Sequence, residues 1–170
     1  MTPVIETERL RLREWREDDL DAIAALWADE DTARYIGGVK SRDDAWRSLA
    51  MQVGHWKLRG YGMFAIEEKD TGAFVGWSGP YFPEGWPEPE IGWTLRREFR
   101  GRGYATEATR ASRDYAYRAL GWTTAISLID PENFASLRVA ERLGARRDGT
   151  FNLRGMEVDV HRHPSPRELN

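Results

Sequence analysis

At 170 residues and 41% hydrophobic, the chain has the size and composition of one globular domain that needs no disulfide or metal to hold its core. It has no cysteine, hence no thiolate nucleophile, disulfide framework or cysteine metal cluster, so any thiol chemistry must arrive on a cofactor. A net charge of −3 argues against a nucleic-acid partner, and with no leader-like N-terminus and no run of ~18 apolar residues the expected setting is cytoplasmic, away from membranes.

The run RLRLR at 9–13 alternates with period two and predicts a half-buried strand. Leu20, Ile23, Ala24 and Trp27 fall at helical spacing and predict a first helix over 18–27. A second helix starts at Ser41, where Asp44 gives a capping-box pattern, and fades before Gly60 and Gly62. Strands follow at 63–66, 73–77 and 90–95. A turn at 70–72 joins the first two, and a loop rich in proline and aromatics joins the second and third. A long helix is predicted over 104–120, with Gly121 as its stop. An apolar strand at 123–129 leads to a fourth helix, opening at Asp130-Pro131 and running to Leu143. Short strands near 145–151 and 157–161 close a domain of residues 1–163, and the polar, proline-broken 164–170 predicts a frayed tail. Alternating strands and helices imply parallel pairing in the second half, after an antiparallel meander. The expected class is α/β: a single domain with a mixed sheet and helices on both faces.

The segment Arg100-Gly101-Arg102-Gly103-Tyr104-Ala105 lies between a strand and the long helix. Glycines there let the backbone approach a ligand, and the helix behind presents unpaired N–H groups and a partial positive charge. Arg100 and Arg102 add formal charge. A P-loop needs a lysine, and none follows. A dinucleotide fingerprint needs a third glycine where Thr106 stands, and Asp130 is a poor match for its acidic residue. The pattern that is met is Arg/Gln-x-x-Gly-x-Gly/Ala, by Arg100, Gly103 and Ala105. A glycine turn flanked by solvated arginines is the plain alternative.

Three segments in this order, EIGWTL at 90–95, RGRGYATEA at 100–108 and PENFAS at 131–136 running on to AERLGA at 140–145, resemble the GNAT superfamily of acyl-CoA-dependent N-acetyltransferases. With ERLRLR at 8–13, the chain is similar to the branch that acetylates ribosomal-protein N-termini, and the likeness spans residues 6–162. The resemblance implies a centrally splayed sheet and acetyl-CoA as co-substrate, with no metal. It implies that the amides of Arg100, Gly101, Arg102, Gly103, Tyr104 and Ala105 hold the pyrophosphate. Trp93, Thr94 and Leu95 would pair with the pantetheine arm like an added strand. The thioester would sit where that strand diverges from 123–129, with Asn133 and Ser136 reaching the arm and the sulfur. Read from residues alone, Asn133 serves equally as a helix N-cap and Ser136 as an early-turn residue. Many relatives carry a tyrosine in the fourth helix to protonate the departing thiolate; Ala140 stands there. Ser136 or water is left for that task, which a thiol pKa near ~8.5 makes tolerable.

An amine must be neutral to attack a thioester, yet an alkyl amine has a pKa near ~10.4 and an α-amine near ~8. The site therefore needs a proton acceptor, and a donor for the developing oxyanion, which a backbone N–H of the 90–95 strand supplies. Glu90 is the first candidate base, against the alternative of a solvated strand-end carboxylate; Asp159 and Glu157 stand in reserve. His161 and His163 read as surface residues rather than metal ligands. The acceptor pocket is expected from the first two helices and the loop 77–90. There Trp77, Tyr81, Phe82 and Trp86 suit a cation and Glu84 and Glu88 would attract one; local packing or a homodimer interface is the alternative. The expected function is acetyl transfer to a protein N-terminus or a small-molecule amine, with a non-catalytic acyl-CoA-binding module as runner-up.

Overall fold

The computed structural model describes residues 2–169. Eight strands form one sheet in the order β1-β2-β3-β4-β5-β6-β8-β7. β1 (Ile5–Glu6) and β2 (Leu10–Arg13) precede three helices, α1 (Leu20–Ala28), α2 (Glu30–Ala33) and α3 (Arg42–Arg59). β3 (Phe64–Glu68), β4 (Phe74–Tyr81) and β5 (Glu90–Leu95) lead to α4 (Tyr104–Ala119). β6 (Ile126–Ile129), α5 (Phe134–Arg142), β7 (Arg146–Leu153) and β8 (Met156–Arg162) follow. Among the described residues no helix is long and apolar enough to cross a membrane.

Local chemistry accounts for most boundaries. Ser41 Oγ accepts the Asp44 N–H at 3.3 Å to open α3, and Gly60, at φ 77°, ends it. The fourth predicted helix starts later than expected. Asp130 Oδ1 accepts the Glu132 N–H at 2.8 Å in a turn, and α5 begins only after Asn133. The four-residue α2 is too short to leave a periodic signal and was not anticipated.

Alternation along β3 and β4 separates two apolar layers. Met63, Ala65 and Trp77 pack with Trp15, Ile23, Leu26 and Leu49 beside α1 and α3. Phe64, Ile66 and Val75 pack with Leu10, Leu12, Tyr104 and Ala108 beneath α4. Arg13 departs from the expected half-exposed strand and is buried. Its guanidinium meets Asp19 at 2.8 Å and Glu67 at 2.7 Å, the pairing that a buried charge requires.

β1 to β5 form the expected antiparallel meander. Parallel pairing in the second half is confined to β5 and β6, because the chain after α5 folds into a hairpin. Its two-residue turn, Arg154 and Gly155, makes β7 and β8 antiparallel neighbours.

β5 pairs with β4 along its full length but with β6 only where Glu90 faces Ile126. Beyond that point side chains replace the ladder. The Leu128 N–H donates to Glu90 Oε1 at 3.1 Å, and Ser127 Oγ donates to the Ile91 carbonyl at 2.6 Å. The strands part, and the β6-facing edge of β5 stays open towards Leu95. This is the splay the resemblance implied.

His163 lies at this junction, buried at 2% exposure rather than on the surface. The Ser127 hydroxyl spends its proton on Ile91, so it accepts from His163 Nε2–H at 2.8 Å. The bare Nδ1 then faces Arg113 Nη1 at 3.4 Å. Burial, and behind it the charges of Arg113 and His161, hold the His163 pKa down at about 3, so the ring is neutral.

Candidate active site

A cavity of about 340 Å³ opens along the free edge of β5, where Trp93, Thr94 and Leu95 line it. Arg100, Gly101, Gly103, Tyr104, Ala105 and Thr106 form its end, and Asn133 and Ser136 its far wall. Gly101 and Gly103 adopt φ of 75° and 80°, a left-handed backbone that suits glycine. Gly103 caps α4 without a side-chain bond, so no side chain satisfies the amides of the first turn. Thr106 Oγ1 is buried beside them with no hydrogen-bond partner. Unpaired amides, a helix N-terminus and an orphaned hydroxyl on one wall form a donor set that fits a pyrophosphate.

The loop is fastened from behind. Arg9 Nη1 donates to the Arg102 carbonyl at 2.8 Å, and its guanidinium pairs with Glu107 at 2.7 Å. Tyr104 Oη donates to Glu68 at 2.6 Å. Arg102 itself turns its guanidinium to Glu68, 3.5 Å away, so its side chain does not line the cavity as the sequence suggested. Arg100 does reach the cavity, donating to Leu95 O at 3.1 Å and Thr32 Oγ1 at 2.5 Å.

Asn133 is both a cap and a wall residue: its Oδ1 accepts the Ser136 N–H at 3.2 Å, and both residues line the cavity. The Ser136 hydroxyl has no partner among the described residues. Ala140 is fully buried with Ile129 and Ala145, where a tyrosine ring would need the packing to open. Sequence reasoning missed Thr32 of α2 and Tyr35 just beyond it, which only tertiary packing brings here, and Thr106. It also missed Arg138 and Arg142, whose four-residue spacing on α5 was legible as one cationic face. Among the described residues neither arginine has a carboxylate partner.

Glu90 sits at the closed end of the splay, 8% exposed. Its Oε2 accepts the Trp86 indole N–H at 2.5 Å and its Oε1 the Leu128 amide. Among the described residues no cation pairs with it. Burial pushes its pKa up to about 7 against the pull of those two donors, which poises the carboxyl near neutrality. Asp159 is paired with Arg147 at 2.9 Å, and Glu157 is an exposed residue of β8.

The aromatic loop divides. Trp77 is core, 5.9 Å from Trp15 and 6.0 Å from Trp27. Tyr81 stacks on His55 at 5.0 Å and meets Trp86 edge-on at 5.3 Å. Phe82 lies under Arg59. Glu84 and Glu88 are not free to attract a cation, because Arg59 holds the first at 2.8 Å and Arg162 the second at 2.6 Å.

An open mixed sheet, split at its centre beside a glycine loop that opens a helix, defines the class. Residues 9–146 match the acetyltransferase (GNAT) domain family, and the chain belongs to that family. YkkB of Bacillus subtilis (strain 168) is 32% identical over 162 residues, 94% of each chain. The acetyltransferase from Agrobacterium tumefaciens str. C58 superposes with a TM-score of 0.86 at 32% identity, over 95% of this chain and 94% of that one. RimL, a ribosomal L7/L12 α-N-protein acetyltransferase solved with coenzyme A, shares the fold at a TM-score of 0.75 and 20% identity, over 95% and 96%.

Proposed function

We propose that this acetyltransferase moves an acetyl group from acetyl-CoA directly onto a primary amine, of a protein N-terminus or a small molecule, in a ternary complex. One strand carries the reading: β5 runs from a buried carboxyl with a pKa near 7 to an open edge that ends at the glycine loop. Acetyl-CoA supplies an acetyl thioester when bound. The Arg100 N–H is already given to the Arg97 carbonyl at 3.1 Å, so the 101–105 amides, the Arg100 side chain and the Thr106 hydroxyl hold its phosphates, and the free edge of β5 pairs with the amides of its arm. An N–H of the same edge stabilises charge on the carbonyl oxygen. Glu90 takes the amine proton, directly or through one water, and the Ser136 hydroxyl lies on the wall that the departing sulfur would meet. Direct attack requires no acetyl-enzyme, in agreement with a chain that has no cysteine.

The test is coenzyme A release from acetyl-CoA over peptides, polyamines, aminoglycosides and amino acids. Amine-dependent release is expected. Saturable coenzyme A binding with no release on any amine would leave a binding module in place of an enzyme.

A further inference from the structure

Charge does not balance on the acceptor side of the splay. Arg154, at the tip of the β7–β8 hairpin, lies over the Trp86 ring with its guanidinium carbon 5.7 Å from the centroid. It has no ion pair or hydrogen bond among the described residues. Its φ of 52° is left-handed, in a turn where asparagine or glycine is favoured, so an arginine here works against its own backbone. Lys40 Nζ lies 3.6 Å over the Trp27 ring and, among the described residues, hydrogen-bonds only Ser48 Oγ, at 3.4 Å. Asp44, the acid whose charge Lys40 feels, pairs with Arg47, and Glu84 and Glu88 pair with Arg59 and Arg162.

One aromatic path connects these cations to Glu90. The indole under Arg154 donates its N–H to Glu90 and touches Tyr81, whose hydroxyl meets Met51 Sδ at 3.8 Å. Met51 and Ser48 line a second cavity, of about 30 Å³, between Trp15, Trp27 and Trp77. Trp27 and Gln52 line it too, both more than nine-tenths buried, and among the described residues Trp27 Nε1 and Gln52 Oε1 have no hydrogen-bond partner. Burial lowers the Lys40 pKa, with Arg154 adding to the shift against a pull from Asp44, so the two cations sense one another. Tyr81 likewise lies in the field of both Glu90 and Arg154.

We propose that the acceptor carries a carboxylate beside its amine, and that Arg154 and Lys40 hold this carboxylate while Glu90 faces the amine. The inference rests on acetyl transfer as the function. Two cations that make no ion pair among the described residues repel a substrate that is only positive, such as a polyamine, and attract one that also bears an anion. The guanidinium fork matches a carboxylate in two hydrogen bonds, and the indole between Arg154 and Glu90 separates the acid-binding end from the amine-binding end. The carboxylate can belong to a free amino acid or to an acidic side chain next to a peptide N-terminus.

Matched acceptors test this: amino acids against their primary amides, and peptides with Asp against Asn at the second position. The wild-type protein is expected to favour the carboxylate member by about tenfold or more in kcat/KM in at least one arm, and that arm names the source. The amide's amine is less basic and more often neutral, so a preference for the acid runs against intrinsic reactivity. Arg154→Gln and Lys40→Gln should each erode the preference while the KM for acetyl-CoA holds, and Arg154→Lys should keep part of it. Amides equal to acids in both arms, or a preference untouched by either variant, would overturn the inference and leave acetyl transfer standing. No coenzyme A release with any member of the panel would overturn acetyl transfer itself, and the inference with it.

Discussion

Glu90 differs from the other buried carboxylates in what surrounds it. Glu67 and Asp19 face Arg13, whereas Glu90 has only two N–H donors. Desolvation therefore wins, and the carboxyl holds its proton up to about pH 7. If it serves as base, Glu90→Gln should cut kcat by ~100- to ~10,000-fold and leave the KM for acetyl-CoA nearly unchanged. Raising the pH should restore part of the loss, since more amine is then already neutral; a rate unchanged across pH 6 to 9 would remove Glu90 from the mechanism. A stability measurement addresses the same group without an acceptor. Because the folded pKa exceeds the unfolded value, Glu90 favours the fold fully below ~4.5, and that support fades as pH rises through about 7. The Gln variant lacks this loss. Its stability relative to wild type should climb between those limits by about 3 kcal/mol, as read from denaturant midpoints at each pH. A flat difference would mean that the carboxyl titrates normally.

Two elements hold the splay and the loop in place, and each gives a prediction. Ser127→Ala strips the donor from the Ile91 carbonyl and the acceptor from His163 Nε2–H, both buried. A loss of roughly 1–3 kcal/mol in urea denaturation is expected, and an unaltered midpoint would mean that the junction does not depend on the hydroxyl. Gly103→Val forces a β-branched residue to φ 80° and brings its Cβ to 3.4 Å from Arg9 Nη2. The strain is worth ~1–2 kcal/mol, a fall of a few degrees in melting temperature, but coenzyme A should no longer shift that temperature at all. A retained shift would remove the loop from the cofactor site.

Those elements also show what a sequence exposes. The glycine loop, the caps at Ser41 and Gly60 and the β5 motif were legible because local backbone chemistry fixes them. Glu90 was legible as a candidate base from its place on β5, but not its isolation from cations, which depends on Trp86 and Leu128 folding over it. The commitments of Glu84, Glu88 and Arg102 were hidden for the same reason: their partners lie 25, 74 and 34 residues away. His163 looked peripheral because it follows the last strand, and only the β6–β8 pairing carries it inside. Antiparallel β6–β8 pairing was missed because alternation of elements says nothing about a hairpin that returns to the sheet.

Over the whole molecule, on the proposed reading, the sheet would hold the phosphates of acetyl-CoA and the amine towards opposite ends of one strand. Both partners would then have to be present together, and no acetyl-enzyme would form. Initial rates measured while acetyl-CoA and a working amine are varied against one another test this most directly. Reciprocal plots that intersect are the expected result, since on the proposed reading both substrates would occupy β5 at once. Parallel lines, the mark of an acetyl group parked on the protein between two half-reactions, would contradict the account.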